Sequence, residues 1–176
     1  MKVNAKKAPQ NYLSTLLKTI SDPSIGLSND IFKFISQLTP LINVDLLIND
    51  PIKGTLLTWR EDEFYGPGWH IPGGIIRFKE NALTRINKVA KSELGSTVSC
   101  DPRPIEFHEI MNMDRDIRGH FISLLCPCRL KTSIKADPYL KGEPKHGQWA
   151  WHKNAPDNLL TNQLTFIKYI NEDFKY

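Results

Sequence analysis

Residues 73–95 constrain the fold more tightly than any other part of the chain. Gly73-Gly74-Ile75-Ile76-Arg77-Phe78-Lys79-Glu80 reads as a strand end, a glycine turn and a short loop. The run that follows is one helix, with apolar Leu83, Ile86, Ala90 and Leu94 at spacings of three and four, closed by Gly95. Two glycines permit backbone conformations and close approaches that a Cβ forbids. Glu93 lies at the edge of the helix's buried side. A carboxylate held there, beside a glycine turn, is well placed to bind a hard cation.

With 176 residues, the chain has room for one domain with a real core and an appended element. We expect a helical extension over residues 1–38 and the main domain over 39–176. The formal charge of +4 is only mildly basic. It suits a phosphate-bearing small molecule, whereas nucleic acid demands a denser basic cluster. The cluster Lys2, Lys6 and Lys7 reads as a solvated tail. Cys100, Cys126 and Cys128 are an odd count; a metal pair at Cys126-Pro127-Cys128 is conceivable, but reduced thiols are the better reading. No apolar run spans a bilayer and the start lacks a signal-peptide core, so a cytoplasmic location without a membrane partner is expected.

In chain order, residues 1–10 read as flexible, and 11–20 and 29–38 as helices. Residues 41–48 and 53–60 read as a hairpin around Asn49-Asp50-Pro51. Further strands are expected at 105–111, 121–130 and 148–152, and a closing helix at 159–169. Strands outnumber helices without regular interleaving. That predicts an α+β chain, a mixed β-sheet sandwiched between helices.

Gly74, Glu80, Glu93 and Gly95 resemble a Nudix box, Gly-x5-Glu-x7-Arg-Glu-U-x-Glu-Glu-x-Gly-U. Lys88 stands for the arginine, Val89 and Ser92 for two glutamates, and Ser96 for the last apolar residue. The same two glutamates are missing from the GDP-mannose mannosyl hydrolase branch of that superfamily. Thr39-Pro40-Leu41 followed by Asp45, then Arg60, residues 69–74, and His146 followed by Trp151 are similar to that branch in spacing. The likeness covers residues 39–160.

The resemblance implies an α/β/α Nudix fold, a homodimer and Mg²⁺-dependent hydrolysis of a nucleotide sugar. It assigns metal binding to Glu93 and a Gly73 carbonyl, the general base to His146, and the diphosphate to Arg60. Asp45 falls near the sugar, and Arg77 and Lys88 are further candidates for substrate phosphate. One carboxylate supports one cation at most, enough to neutralise a diphosphate that leaves intact. Cleavage of the sugar C–O bond then needs a base for water on the opposite face, and histidine suits that at neutral pH. Glu80, at the helix start, reads as structural. His70 reads as packed, and Trp69 or Tyr65 offers a stacking face.

Two positions depart from the branch. Lys145 replaces a metal-holding glutamine and has no lone pair to donate, and Ile75 replaces a phosphate-contacting arginine. Two alternatives therefore stand beside the mannosyl hydrolase: a Nudix pyrophosphohydrolase cutting between phosphates, and a nucleotide-sugar binding protein without catalysis.

Overall fold

The computed structural model describes residues 10–101 and 103–171. The lysines at positions 2, 6 and 7 lie outside the described residues. Two short helices open the chain, α1 (Gln10–Lys18) and α2 (Asn29–Ile35). The strands are β1 (Leu41–Asp50), β2 (Gly54–Arg60), β3 (Gly68–His70), β4 (Gly73–Ile75), β5 (Val98–Cys100), β6 (Glu106–Met111), β7 (His120–Leu130) and β8 (Trp149–His152). Helix α3 (Ala82–Leu94) lies between β4 and β5, and a 3₁₀ turn (Thr161–Phe166) runs into α4 (Ile167–Ile170).

β1 is the spine of the mixed sheet. It runs parallel to β7 from Leu41↔Phe121 to Ile48↔Cys128, and antiparallel to β4 at Asn43↔Ile75, Val44↔Gly74 and Asp45↔Gly73. It meets β2 only at Asn49↔Thr55 and Asp50↔Gly54. The expected hairpin is thus paired only beside its turn. β1 gives up β4 for β2 along its length, and β2 carries β3 and β8 outward on its other pairings. β5 and β6 both pair with β7.

Alternation along β1 and β2 builds two cores, because successive side chains of a strand point to opposite faces. Val44, Leu46, Ile48 and Leu56 pack with Ile86, Val89, Ala90 and Leu94 of α3. Leu47, Leu57 and Trp59 pack with Phe166, Tyr169 and Ile170 on the other face. This is the helix–sheet–helix sandwich expected from the sequence. The closing helix is shorter than expected. Leu159 and Leu160 are held extended against Trp69, and Gln163 turns inward so that its Oε1 accepts from Ile71 N at 3.1 Å.

α3 forms as its sequence predicts. Asn81 caps it, accepting from Thr84 N at 2.8 Å. Gly95 ends it at φ 59°, a left-handed conformation that favours glycine. The glycine pair has a different reason. Neither Gly73 nor Gly74 adopts positive φ. A Cβ on Gly73 would meet Asp45 Oδ1 at 2.4 Å, and one on Gly74 would meet Val89 Cγ2 at 2.7 Å. Space, not backbone conformation, demands glycine here.

The cysteines are all free, with Cys126 and Cys128 buried. Among the described residues no helix is long and apolar enough to cross a membrane.

Candidate functional site

A cavity of about 270 Å³ opens where the sheet divides. Asn43 and Asp45 of β1, Thr58 and Arg60 of β2, His70, Gly73, Glu93 and Ser123 line it. Loops add Asp62, Tyr65, Arg118, His146 and Asn162. Of the residues read from the sequence, Asp45, Arg60, Gly73, Glu93 and His146 therefore meet in one place.

Glu93 projects from the last turn of α3. Its Oε2 accepts from Thr58 Oγ1 at 3.0 Å and its Oε1 from Gly73 N at 3.3 Å. Thr58 Oγ1 also lies 3.1 Å from His70 Nε2. Burial pushes His70 down to about 3, so it is neutral, and pushes Glu93 up to about 7. Glu93 thus receives two neutral hydrogen bonds and no cation. A carboxylate in that position calls for positive charge. One carboxylate with a backbone carbonyl fits Mg²⁺, which keeps several of its waters. Among the described residues no group of three or more His, Cys, Asp or Glu side chains gathers to hold an ion alone.

Asp45 is 2% exposed. Its Oδ2 accepts from Asn43 Nδ2 at 2.9 Å and from Ser123 Oγ. Burial pushes its pKa up to about 6, against the pull of those bonds. Its charge adds to that of Glu93 across the same cavity. Arg60 balances the site from the rim, where its Nε holds Asp62 Oδ2 at 2.5 Å.

His146 lies at the cavity edge, and its Nδ1 accepts from Glu61 N at 3.1 Å. That bond engages the lone pair a base would use and leaves the proton of the neutral ring on Nε2. The ring must leave Glu61 N before it can take a proton. Gly142 and Gly147, at φ 82° and 83°, bracket the loop, and a Cβ added at either would meet nothing within 4 Å. The movement has to work against the bonds that Gly147 N makes to Trp59 O at 2.9 Å and Lys145 N makes to Gln148 Oε1 at 2.9 Å.

Arg77 and Lys88 are not brought to the cavity. Lys88 pairs instead with Glu80, beside the start of α3, where the Arg77 amide also bonds. Lys88 Nζ lies 2.8 Å from Glu80 Oε1, Arg85 Nη2 lies 2.7 Å from Oε2, and Arg77 N donates to Oε2 at 3.0 Å. The Arg77 guanidinium lies beside Gly26. A helical side chain reaches back toward its N-terminus, which carries Lys88 to Glu80 and away from Glu93. Trp69 is buried against Trp59, with ring centres 5.3 Å apart, and offers no open face.

Sequence reasoning missed Thr58, Arg118, Ser123 and Asn162. Thr58 and Ser123 look like ordinary strand residues until pairing brings them beside the two carboxylates. Arg118 sits in a polar loop far along the chain from every motif. Asn162 Oδ1 is buried without a hydrogen-bond partner among the described residues.

No family model matches the chain. The chain is 37% identical over 98 residues to the low-salt glycan biosynthesis protein Agl8 of Haloferax volcanii. That match spans 55% of this chain and 61% of Agl8. Among solved structures, a UDP-X diphosphatase aligns over 88% of this chain and 71% of its own, at 16% identity and TM-score 0.53. A MutT NUDIX hydrolase from Burkholderia pseudomallei aligns over 76% and 99%, at 14% identity and TM-score 0.51. A NUDIX hydrolase from Nitrosomonas europaea aligns over 64% and 72%, at 13% identity and TM-score 0.51. With its helix–sheet–helix layering and its glycine-led α3, this chain has the Nudix fold.

Proposed function

We propose that the chain is a Mg²⁺-dependent hydrolase of a nucleotide sugar of the GDP-mannose type, releasing nucleoside diphosphate and free sugar. The observation that carries this reading is the state of α3. Val89 is buried in the core and Ser92 Oγ bonds to Val89 O at 3.2 Å, so Glu93 alone presents a carboxylate from this helix to the cavity. Attack at phosphorus builds charge that several carboxylates and more than one cation usually meet. Attack at the anomeric carbon builds less, because the diphosphate departs intact. The name of Agl8 points to sugar chemistry and that of the UDP-X diphosphatase to a nucleotide diphosphate.

Glu93 and the Gly73 carbonyl would hold the ion, whose contribution is to neutralise the departing diphosphate. The Arg60 guanidinium stabilises charge growing on the same group. Asp45 accepts from a sugar hydroxyl. Once its loop lifts the ring from Glu61 N, His146 takes the proton from water on the opposite face of the sugar. A nucleoside diphosphate is a weak base, so no general acid is required, in contrast to glycosidases that pair two carboxylates.

Incubation with GDP-mannose and Mg²⁺, followed by product identification, tests the reading. GDP and mannose support it. GMP and mannose 1-phosphate support a second reading, cleavage between phosphates, which Asp45 favours as another carboxylate in the cavity. Binding without turnover leaves a nucleotide-sugar binding protein. His146→Gln is expected to lower turnover by about 10²-fold or more; turnover within twofold of wild type removes His146 from the mechanism. The homodimer implied by the resemblance is read from the molar mass in solution.

A further inference from the structure

Three arginines surround one ring at the mouth of the cavity. The guanidinium carbon of Arg115 lies 4.5 Å from the Tyr65 ring centre, that of Arg60 4.9 Å and that of Arg118 5.5 Å. Such contacts attract each cation to the ring but do nothing to relieve the repulsion among them. Arg60 is answered by Asp62, one carboxylate among three guanidinium groups. Its Oδ1 already accepts from Phe64 N at 2.8 Å and Tyr65 N at 2.9 Å.

Arg118 stands apart from the other two. It lines the cavity, and its Nε is shut off from solvent with no hydrogen-bond partner among the described residues. A buried donor left without a partner is destabilising, and more so on a charged group. Burial first, then the like charge of Arg60, push its pKa below the ordinary arginine value. The fold nevertheless clamps the residue in place. Its φ is 56°, a left-handed conformation that L residues rarely adopt. Its N–H donates to Ser36 Oγ at 3.3 Å and its carbonyl accepts from Tyr65 OH at 2.7 Å. Its guanidinium carbon stacks 4.7 Å from the Phe64 ring and 5.4 Å from that of Phe32 in α2. A guanidinium with a buried, unpartnered N–H, held in a rare backbone conformation at a cavity and only partly offset by Asp62, points to a binding group.

We infer that Arg118 is an anion-binding residue of this site, which grips the substrate diphosphate together with Arg60 and is propped in place by α2. The inference deepens the nucleotide-sugar reading and rests on it. It supplies the second guanidinium that Ile75 lacks and Arg77 does not bring. It also gives the helical extension a task, since Phe32 and Ser36 both belong to that end of the chain.

Titration calorimetry with two probes, inorganic pyrophosphate and GDP, each with Mg²⁺, tests it. Arg118→Ala is expected to weaken both by tenfold or more, and Arg118→Gln, which keeps more of the packing, to do the same. Ser36→Ala removes the anchor but no charge, and should fall between wild type and Arg118→Ala. Arg103→Ala, an exposed charge away from the cavity, should bind within twofold of wild type. If both Arg118 variants bind within twofold, Arg118 has no anion role; if only Ser36→Ala is silent, the prop role of α2 falls. Wild-type protein that binds pyrophosphate but not GDP, with the Arg118 dependence intact, keeps this inference and sinks the nucleotide reading. Wild type that binds neither probe overturns both.

Discussion

Glu80 and Glu93 are the same residue type at opposite ends of one helix, and the protein treats them oppositely. The thirteen residues of α3 span about 20 Å between them. Glu80 is 4% exposed and surrounded by Arg85, Lys88 and the Arg77 amide. Those partners outweigh burial and hold its pKa down to about 2. Glu93 is 26% exposed and receives only neutral donors, and burial lifts it to about 7. A satisfied carboxylate fixes structure, whereas one left short of positive charge is available to a ligand. Exposure by itself would rank the two the other way round.

The largest expected difference between them is catalytic. Glu93→Gln should lower turnover of GDP-mannose by about 10²–10³-fold, the usual effect of deleting a main electrostatic contact, and abolish activation by Mg²⁺. Glu80→Gln should leave turnover per folded molecule within a few-fold. Equal losses in both would erase the contrast.

Next comes stability. Glu80→Gln leaves three cationic or N–H partners unanswered at a buried point, and should cost about 3 kcal/mol in urea unfolding at pH 7. Glu93→Gln in metal-free protein should cost nothing or stabilise.

The pH dependence carries opposite signs. The folded pKa of Glu80 lies below the ordinary glutamate value of 4.5. Its stabilisation is present above that value and is lost as pH falls through about 2, so the gap between wild type and Glu80→Gln should close from pH 5 downward. The folded pKa of Glu93 lies above 4.5. Its favourable contribution is present below that value and is lost as pH rises through about 7, so Glu93→Gln should gain on metal-free wild type by about 3 kcal/mol over that window. Urea midpoints at four or five pH values measure both trends.

The smallest effect concerns Lys88, whose side chain is 54% exposed. Lys88→Ala should cost only about 0.5 kcal/mol, the scale of a solvated ion pair. A tenfold loss of substrate affinity in this variant would instead restore Lys88 to the site.

Much of the fold was legible because local signals carry it. The spacing of Ile86, Ala90 and Leu94 and the Gly95 stop define α3 without help from elsewhere. The apolar run of β7 and the turn at Asp50 are similarly self-contained. The failures lie where long-range pairing overrides local pattern. Residues 159–160 have helical spacing, but Trp69 recruits them into extended backbone. Arg77 and Lys88 are basic residues near a glycine turn, but Glu80 collects the Lys88 ammonium and the Arg77 guanidinium turns to Gly26.

The sequence by itself settled the helix, its glycine stop, the mixed sheet and the presence of a single glutamate in the last turn of α3, because these depend on residues a few positions apart. Only the tertiary structure decided which side chains share the cavity. Asp45, Thr58, Glu93, Arg118 and His146 come from five separate segments. Their charges and lone pairs are set by burial and by partners far away in the chain: Ser123 for Asp45, Glu61 for His146, and Ser36 for the backbone of Arg118.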